Sequence, residues 1–189
     1  MYLYPHIIRS INHQPFIRCL VFITLLQVFP SFAQEIGDPA PTFYLRSLEG
    51  DNFFLSKEIK ADSPIILVFY ATWCIPCRQE IPALEKMMTD PSLENVRLYY
   101  VNVGGLMAAD DSGDVVKQRE ELDKVKRHMV RFMMTHPILM DRYALTAKKY
   151  GAASLPTLVV IGGDGSIKYL HRGYTPGDEE ILLKAIEDL

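Results

Sequence analysis

Pro64-Ile-Ile-Leu-Val-Phe-Tyr70 leads directly into Ala71-Thr-Trp-Cys74-Ile-Pro-Cys77-Arg-Gln-Glu80-Ile-Pro82. The first of these stretches is a continuous apolar run, the pattern of a strand buried on both faces of a sheet. A helix is expected from about Cys74 to Met88, bent by Pro82, which has no N–H for the helical ladder. Val96-Arg-Leu-Tyr-Tyr-Val-Asn-Val103 reads as the next central strand. Strand, helix and strand in this order form the pattern of a parallel βαβ unit in an α/β fold.

Working outward, Thr42-Phe-Tyr-Leu45 and Asn52-Phe-Phe-Leu55 flank a turn at Glu49-Gly50-Asp51 and suggest an opening β-hairpin. A second helix is expected where Leu122, Val125, Met129, Phe132 and Met133 recur at helical spacing. Pro137-Ile-Leu-Met140 reads as a short strand, and Arg142–Tyr150 as a short helix ended by Gly151. Thr157-Leu-Val-Val-Ile161 and Ser166-Ile-Lys-Tyr-Leu-His171, joined through Gly163-Asp164-Gly165, form a second hairpin. Thr175, with Pro176 at the first helical position, is expected to cap a last amphipathic helix running to Leu189.

The chain of 189 residues is 49% hydrophobic and 23% charged, which gives it material for a core and excludes a disordered polymer. Its net charge of −3 offers no basic footprint for nucleic acid. Residues 1–33 have no acid, carry Arg9 and Arg18, and run apolar from Cys19 to Phe29 before Pro30-Ser-Phe-Ala33. A basic region, a short apolar region and a small-residue site together read as a secretory signal cleaved before Gln34, with an uncleaved anchor as the alternative. The expected domains are thus a signal segment, 1–33, and one folded domain, 34–189. The latter keeps two of the three cysteines, Cys74 and Cys77.

In an exported, oxidising setting these two have no other partner for a disulfide. Cys-x-x-Cys at a strand-to-helix junction has a physical logic, because a helix N-terminus supplies partial positive charge and free amides that stabilise a Cys74 thiolate. Pro76 has no N–H, which leaves the amides of Ile75 and Cys77 as donors. Cys77, within the first turn, can attack a mixed disulfide formed on Cys74. Trp73 gives an apolar surface beside the nucleophile. A structural disulfide or half of a zinc site are the competing readings, but zinc needs further ligands, and none of His128, His136 or His171 forms a second paired motif.

The segment from Phe69 to Pro82, with its CxPCxxE core, resembles the active site of the thioredoxin superfamily. It is most similar to the exported TlpA/ResA-like thiol–disulfide oxidoreductases. Gly37-Asp-Pro-Ala-Pro-Thr-Phe43, the strand end Val101-Asn-Val103-Gly and Tyr150-Gly-Ala-Ala-Ser-Leu-Pro156-Thr match that pattern as well. The resemblance implies a thioredoxin-like α/β fold: a central mixed β-sheet with helices on both faces, plus an N-terminal β-hairpin. It implies that Pro156 is a cis proline facing the cysteines, with the Leu155 backbone placed to pair with an extended substrate. It implies no cofactor and no metal. Where cytosolic thioredoxins carry a buried Asp, this chain has Val68, and Glu80 is the replacement that ResA-like proteins offer. Ser154 stands where many relatives have Gly.

The function expected is dithiol exchange in the periplasm or at the outer face of the cytoplasmic membrane. Cys74 would serve as nucleophile, Cys77 as resolving thiol and Glu80 as proton acceptor. No His or Lys lies between the cysteines to hold a thiolate strongly, which favours a reductant of protein disulfides. The resemblance suggests a membrane thiol-electron donor, with apocytochrome c or a copper-site protein as client. Two alternatives use the same cysteines. A peroxiredoxin-like peroxidase looks for a Thr three residues before the nucleophile and a Pro four further back, where this chain has Ala71 and Leu67. A copper(I) metallochaperone would bind through both thiolates, although the related Sco family spaces its cysteines one residue wider and adds a distal His. Met87, Met88, Met129, Met133 and Met134 are expected in the core, and His136 and His171 have no evident sequence partner.

Overall fold

A computed structural model describes residues 34–59, 63–104 and 115–189, with the backbone alone for 115–120. Residues 1–33, expected to be a signal segment and holding Cys19, and all but Gly104 of the loop 104–113, lie outside the described residues.

The elements in chain order are β1 (Tyr44–Ser47), β2 (Asn52–Phe54), α1 (Leu55–Glu58), β3 (Ile65–Tyr70), α2 (Cys77–Met87), β4 (Arg97–Asn102), α3 (Val115–Arg131), β5 (Ile138–Met140), α4 (Leu145–Lys149), β6 (Thr157–Ile161), β7 (Ile167–Arg172) and α5 (Asp178–Glu187). Seven strands make one mixed sheet in the order β2-β1-β5-β4-β3-β6-β7. β3 runs parallel to β4, and β4 to β5, while β6 lies antiparallel to β3 and β7 antiparallel to β6. All six residues of β3 are buried, so the sheet is covered on both faces where its sequence is continuously apolar.

The opening hairpin is joined to the core by aromatic rings. Phe43 stacks on Phe53 at 5.6 Å and meets Tyr150 edge-on at 6.1 Å, and Tyr150 lies 5.4 Å from Phe69 of β3. The Tyr150 hydroxyl donates to Pro41 O at 2.8 Å. The start of β7 is covered by the segment that precedes β1: the Gly37 N–H donates to Ile167 O, and the Ile167 N–H to Asp38 O, both at 2.8 Å. That contact satisfies backbone groups that an open sheet edge would expose.

Four expectations need correction. α2 begins at Cys77, not Cys74: the Cys74 N–H closes a turn over residues 71–74 on Ala71 O at 3.0 Å, and the helical ladder opens with the Glu80 N–H on Pro76 O at 3.1 Å. Met133 is not a core filler: α3 ends at Arg131, and Met133 takes a left-handed φ of 52° and is 74% exposed, while Met134 turns inward. The last helix is not capped by Thr175 with Pro176 at its first position. Its N-cap is Gly177, at φ 105°, a conformation open to glycine without a Cβ clash. The side chain that works at this end is Asp178, whose Oδ2 accepts the Thr175 N–H at 2.6 Å. α4 is also shorter than 142–150, starting at Leu145 once Ala144 has adopted a left-handed φ of 51°.

Candidate functional site

The junction after β3 is set by sheet register. Phe69 pairs with Thr157, so β6 begins where β3 ends, and the residues just before Thr157 lie beside the turn that carries Cys74. The Leu155–Pro156 peptide is cis, as the family pattern implied. Thr157 fastens this loop by donating its hydroxyl to Ser154 O at 2.8 Å, and the Gly173 N–H closes the other side on Pro156 O at 2.8 Å.

Cys74 and Cys77 form a disulfide with an S–S distance of 2.01 Å and a Cα–Cα distance of 5.3 Å. The Cys77 N–H donates to Cys74 Sγ at 3.2 Å, so of the two amides expected to act as donors that of Cys77 makes the contact. The cysteines are not equivalent. Cys74 retains 3% exposure and Cys77 none. Around Cys74 the surface is apolar and open, with Trp73 49% and Ile75 68% exposed. Together with Pro76, Ala153 and Leu155 they border a shallow depression of about 440 Å³. A large exposed apolar rim beside a reactive disulfide suits a polypeptide substrate better than a small polar one.

Glu80 occupies the core side of α2. The buried residues of this helix are Cys77, Glu80, Ile81, Leu84 and Met87, spaced to share one face. Glu80 is 3% exposed, and its Oε2 is buried without a hydrogen-bond partner. Burial, followed by the charges of Asp178 and then Glu179, pushes its pKa up to about 8. In the structure, with the cysteines oxidised, the anions facing Glu80 come from the start of α5.

The same region corrects the reading of the histidines. His171 of β7 places Nε2 3.0 Å from Asp178 Oδ2, a pairing seven residues apart across the β7–α5 turn. A histidine ending a strand and an aspartate opening the next helix is the signal that could have revealed it. His136 Nδ1 lies 3.0 Å from Glu85 Oε2, which also accepts the Thr135 hydroxyl at 2.6 Å; a separation of 51 residues hides that pair from sequence. His128 of α3 stacks on Tyr70 at 5.7 Å and lies 4.4 Å from Phe132, with Nε2 buried and unpartnered. Burial, then the nearby cations Arg78 and Arg131, lowers its pKa to about 4. Val68 is wholly buried in β3, and Ser154 is exposed. Among the described residues no group of three or more His, Cys, Asp or Glu side chains is gathered to hold a metal ion.

Residues 36–170 match the model of the AhpC/TSA family. The chain is 30% identical over 156 residues to the thiol-disulfide oxidoreductase ResA of Geobacillus kaustophilus (strain HTA426), covering 82% of this chain and 80% of that protein. It is also 30% identical to the thioredoxin-like protein YneN of Bacillus subtilis (strain 168), over 72% of this chain and 71% of that one. Among solved structures, a chain assigned as thiol:disulfide interchange protein DsbE from Chlorobium tepidum matches with a TM-score of 0.66 and 26% identity, over 82% of this chain and 97% of that one. StoA from Bacillus subtilis shares the fold at a TM-score of 0.58 and 21% identity, over 78% and 97%. The Cys74–Cys77 disulfide thus sits at the strand-to-helix turn of a chain that belongs to the AhpC/TSA family and is a ResA-like thiol–disulfide oxidoreductase with a thioredoxin fold.

Proposed function

We propose that this oxidoreductase is exported and works as a reductant of protein disulfides. The observation that carries the direction of attack is the inequality of the two cysteines: Cys74 reaches the depression beside Trp73 and Leu155, whereas Cys77 is sealed behind it. In the reduced protein the Cys74 thiolate attacks a client disulfide, forming a mixed disulfide and releasing one client thiolate. Cys77 then loses its proton to Glu80 and attacks Cys74 Sγ. This releases the second client thiolate and leaves the Cys74–Cys77 disulfide, with two electrons passed to the client. Trp73, Leu155 and Pro156 line the approach, and the Leu155 backbone pairs with an extended client segment.

Recharging the disulfide takes a thiol-electron donor, for which the family resemblance favours a membrane protein, with apocytochrome c or a copper-site protein as client. The reading of residues 1–33 as a secretory signal supports export. It predicts an intact mass beginning at or near Gln34, against a membrane-bound species that retains residues 1–33. The closing test of the function is turnover of insulin disulfides beside hydrogen-peroxide turnover and copper(I) retention. A Cys77→Ser variant should accumulate a mixed disulfide on Cys74. Peroxide turnover without disulfide reduction would overturn the reading.

A further inference from the structure

Glu80 opens onto a cavity of about 10 Å³, room for one water, lined also by Leu84, Leu158, Tyr169, His171, Tyr174, Asp178, Glu179 and Leu182. The acidic residues that start α5 have local hydrogen bonds of their own. Asp178 accepts the Thr175 N–H, and Glu179 Oε2 accepts the Gly177 N–H at 3.2 Å and the Tyr174 hydroxyl at 3.3 Å. Acids in a first helical turn are ordinary partners of the macrodipole. What is not ordinary is the carboxyl group facing them: Glu80, all but sealed, lines the same cavity with its Oε2 buried and unpartnered.

We propose that Asp178 and Glu179 are positioning residues for Glu80, their charges across this one-water cavity holding its proton in place while the cysteines are oxidised and so setting where Glu80 becomes a base. The inference rests on the reading of Glu80 as the proton acceptor for Cys77. Two fixed negative charges disfavour a third in a site of low dielectric, and the raised pKa of Glu80 agrees with that. The other titratable groups facing it are Tyr169 and His171 of β7, Tyr174 of the turn and Tyr100 of β4. Of these, His171 can carry positive charge. It sits against Asp178, so protonating it offsets part of the charge that Glu80 meets.

The test is a pH titration of the Glu80 carboxyl carbon by NMR in the oxidised full chain, with Asp178→Asn, Glu179→Gln and Glu180→Gln. Asn and Gln keep an acceptor for the Thr175 and Gly177 amides, and the two cavity variants serve as independent arms should one fail to fold. Glu180 is exposed on the same turn and absent from the cavity wall, so its variant removes an equal charge from the helix start. Each cavity variant is expected to lower the Glu80 midpoint by about half to one pH unit, raising the rate of Cys77 resolution at pH 7 by roughly two- to fivefold. Glu180→Gln should leave both unchanged. An unmoved midpoint in both cavity variants overturns the inference, even where Glu80→Gln slows resolution. A lowered midpoint together with normal resolution in Glu80→Gln supports the charge coupling and overturns only the assignment of Glu80 as base.

Discussion

The backbone N–H of Cys77 points at Sγ of Cys74 across 3.2 Å, inside a turn where Pro76 contributes no amide. On reduction this donor faces the Cys74 sulfur and favours its thiolate form. The nearest cation in sequence, Arg78, directs its guanidinium to Thr72 O at 2.9 Å, and no His or Lys stands between the cysteines. Stabilisation of the reduced state is therefore moderate. The reduction potential of the pair is expected near the thioredoxin value of about −270 mV, well below the strong-oxidant value of about −120 mV. Equilibration with a dithiol buffer of known potential measures it, and a result near the upper value would overturn the assignment as reductant.

Glu80→Gln keeps the shape of the side chain and removes the base. Resolution of a Cys74 mixed disulfide is expected to slow by roughly ten- to a hundredfold at pH 7, the low end of general-base effects. Stopped-flow reduction of a model disulfide across pH reads this, and superimposed wild-type and variant profiles would make Glu80 a bystander.

The same variant carries a stability signature of defined sign. Glu80 titrates at about 8 in the fold and near the ordinary glutamate value of about 4.3 when unfolded. Between these values the folded state holds more protons, so stability falls as pH rises through the window. Glu80→Gln removes that loss. The oxidised variant should match the wild type near pH 4 and melt roughly 10–20 °C higher at pH 9, as calorimetry would show. A constant offset at all pH values would contradict the buried, protonated carboxyl group.

His128 gives the opposite slope. Its pKa is lowered to about 4 in the fold against about 6.5 when unfolded, so the unfolded state binds the extra proton and stability is lost as pH falls through that range. His128→Phe keeps a ring for the stack on Tyr70 and removes the unpartnered Nε2. The variant is expected to be more stable than wild type, with a gap that widens from pH 7 to pH 4 by on the order of 1–2 kcal/mol. Urea unfolding at the two pH values measures it.

Much of this was legible along the chain. The apolar run of β3, the CxPCxxE turn and the Gly-Asp-Gly hairpin are local patterns, and local patterns fix strand, helix and turn by sterics and by which groups must leave water. The motif also made Cys74 and Cys77 a pair and put Glu80 on the face of Cys77, because three residues is nearly one helical turn. Sequence misplaced the ends of elements. The start of α4, the start of α5 and the fate of Met133 depend on single backbone dihedrals set by packing. The tertiary structure alone decided which carboxylates face Glu80, that His136 meets Glu85, and that Cys74 is the cysteine near the surface. Those facts arise where segments distant in the chain converge, β7 and α5 on α2 at Glu80 and the segment before β5 on α2 at Glu85. The burial that raises the Glu80 pKa and the charges that add to it exist only once those elements have closed around it.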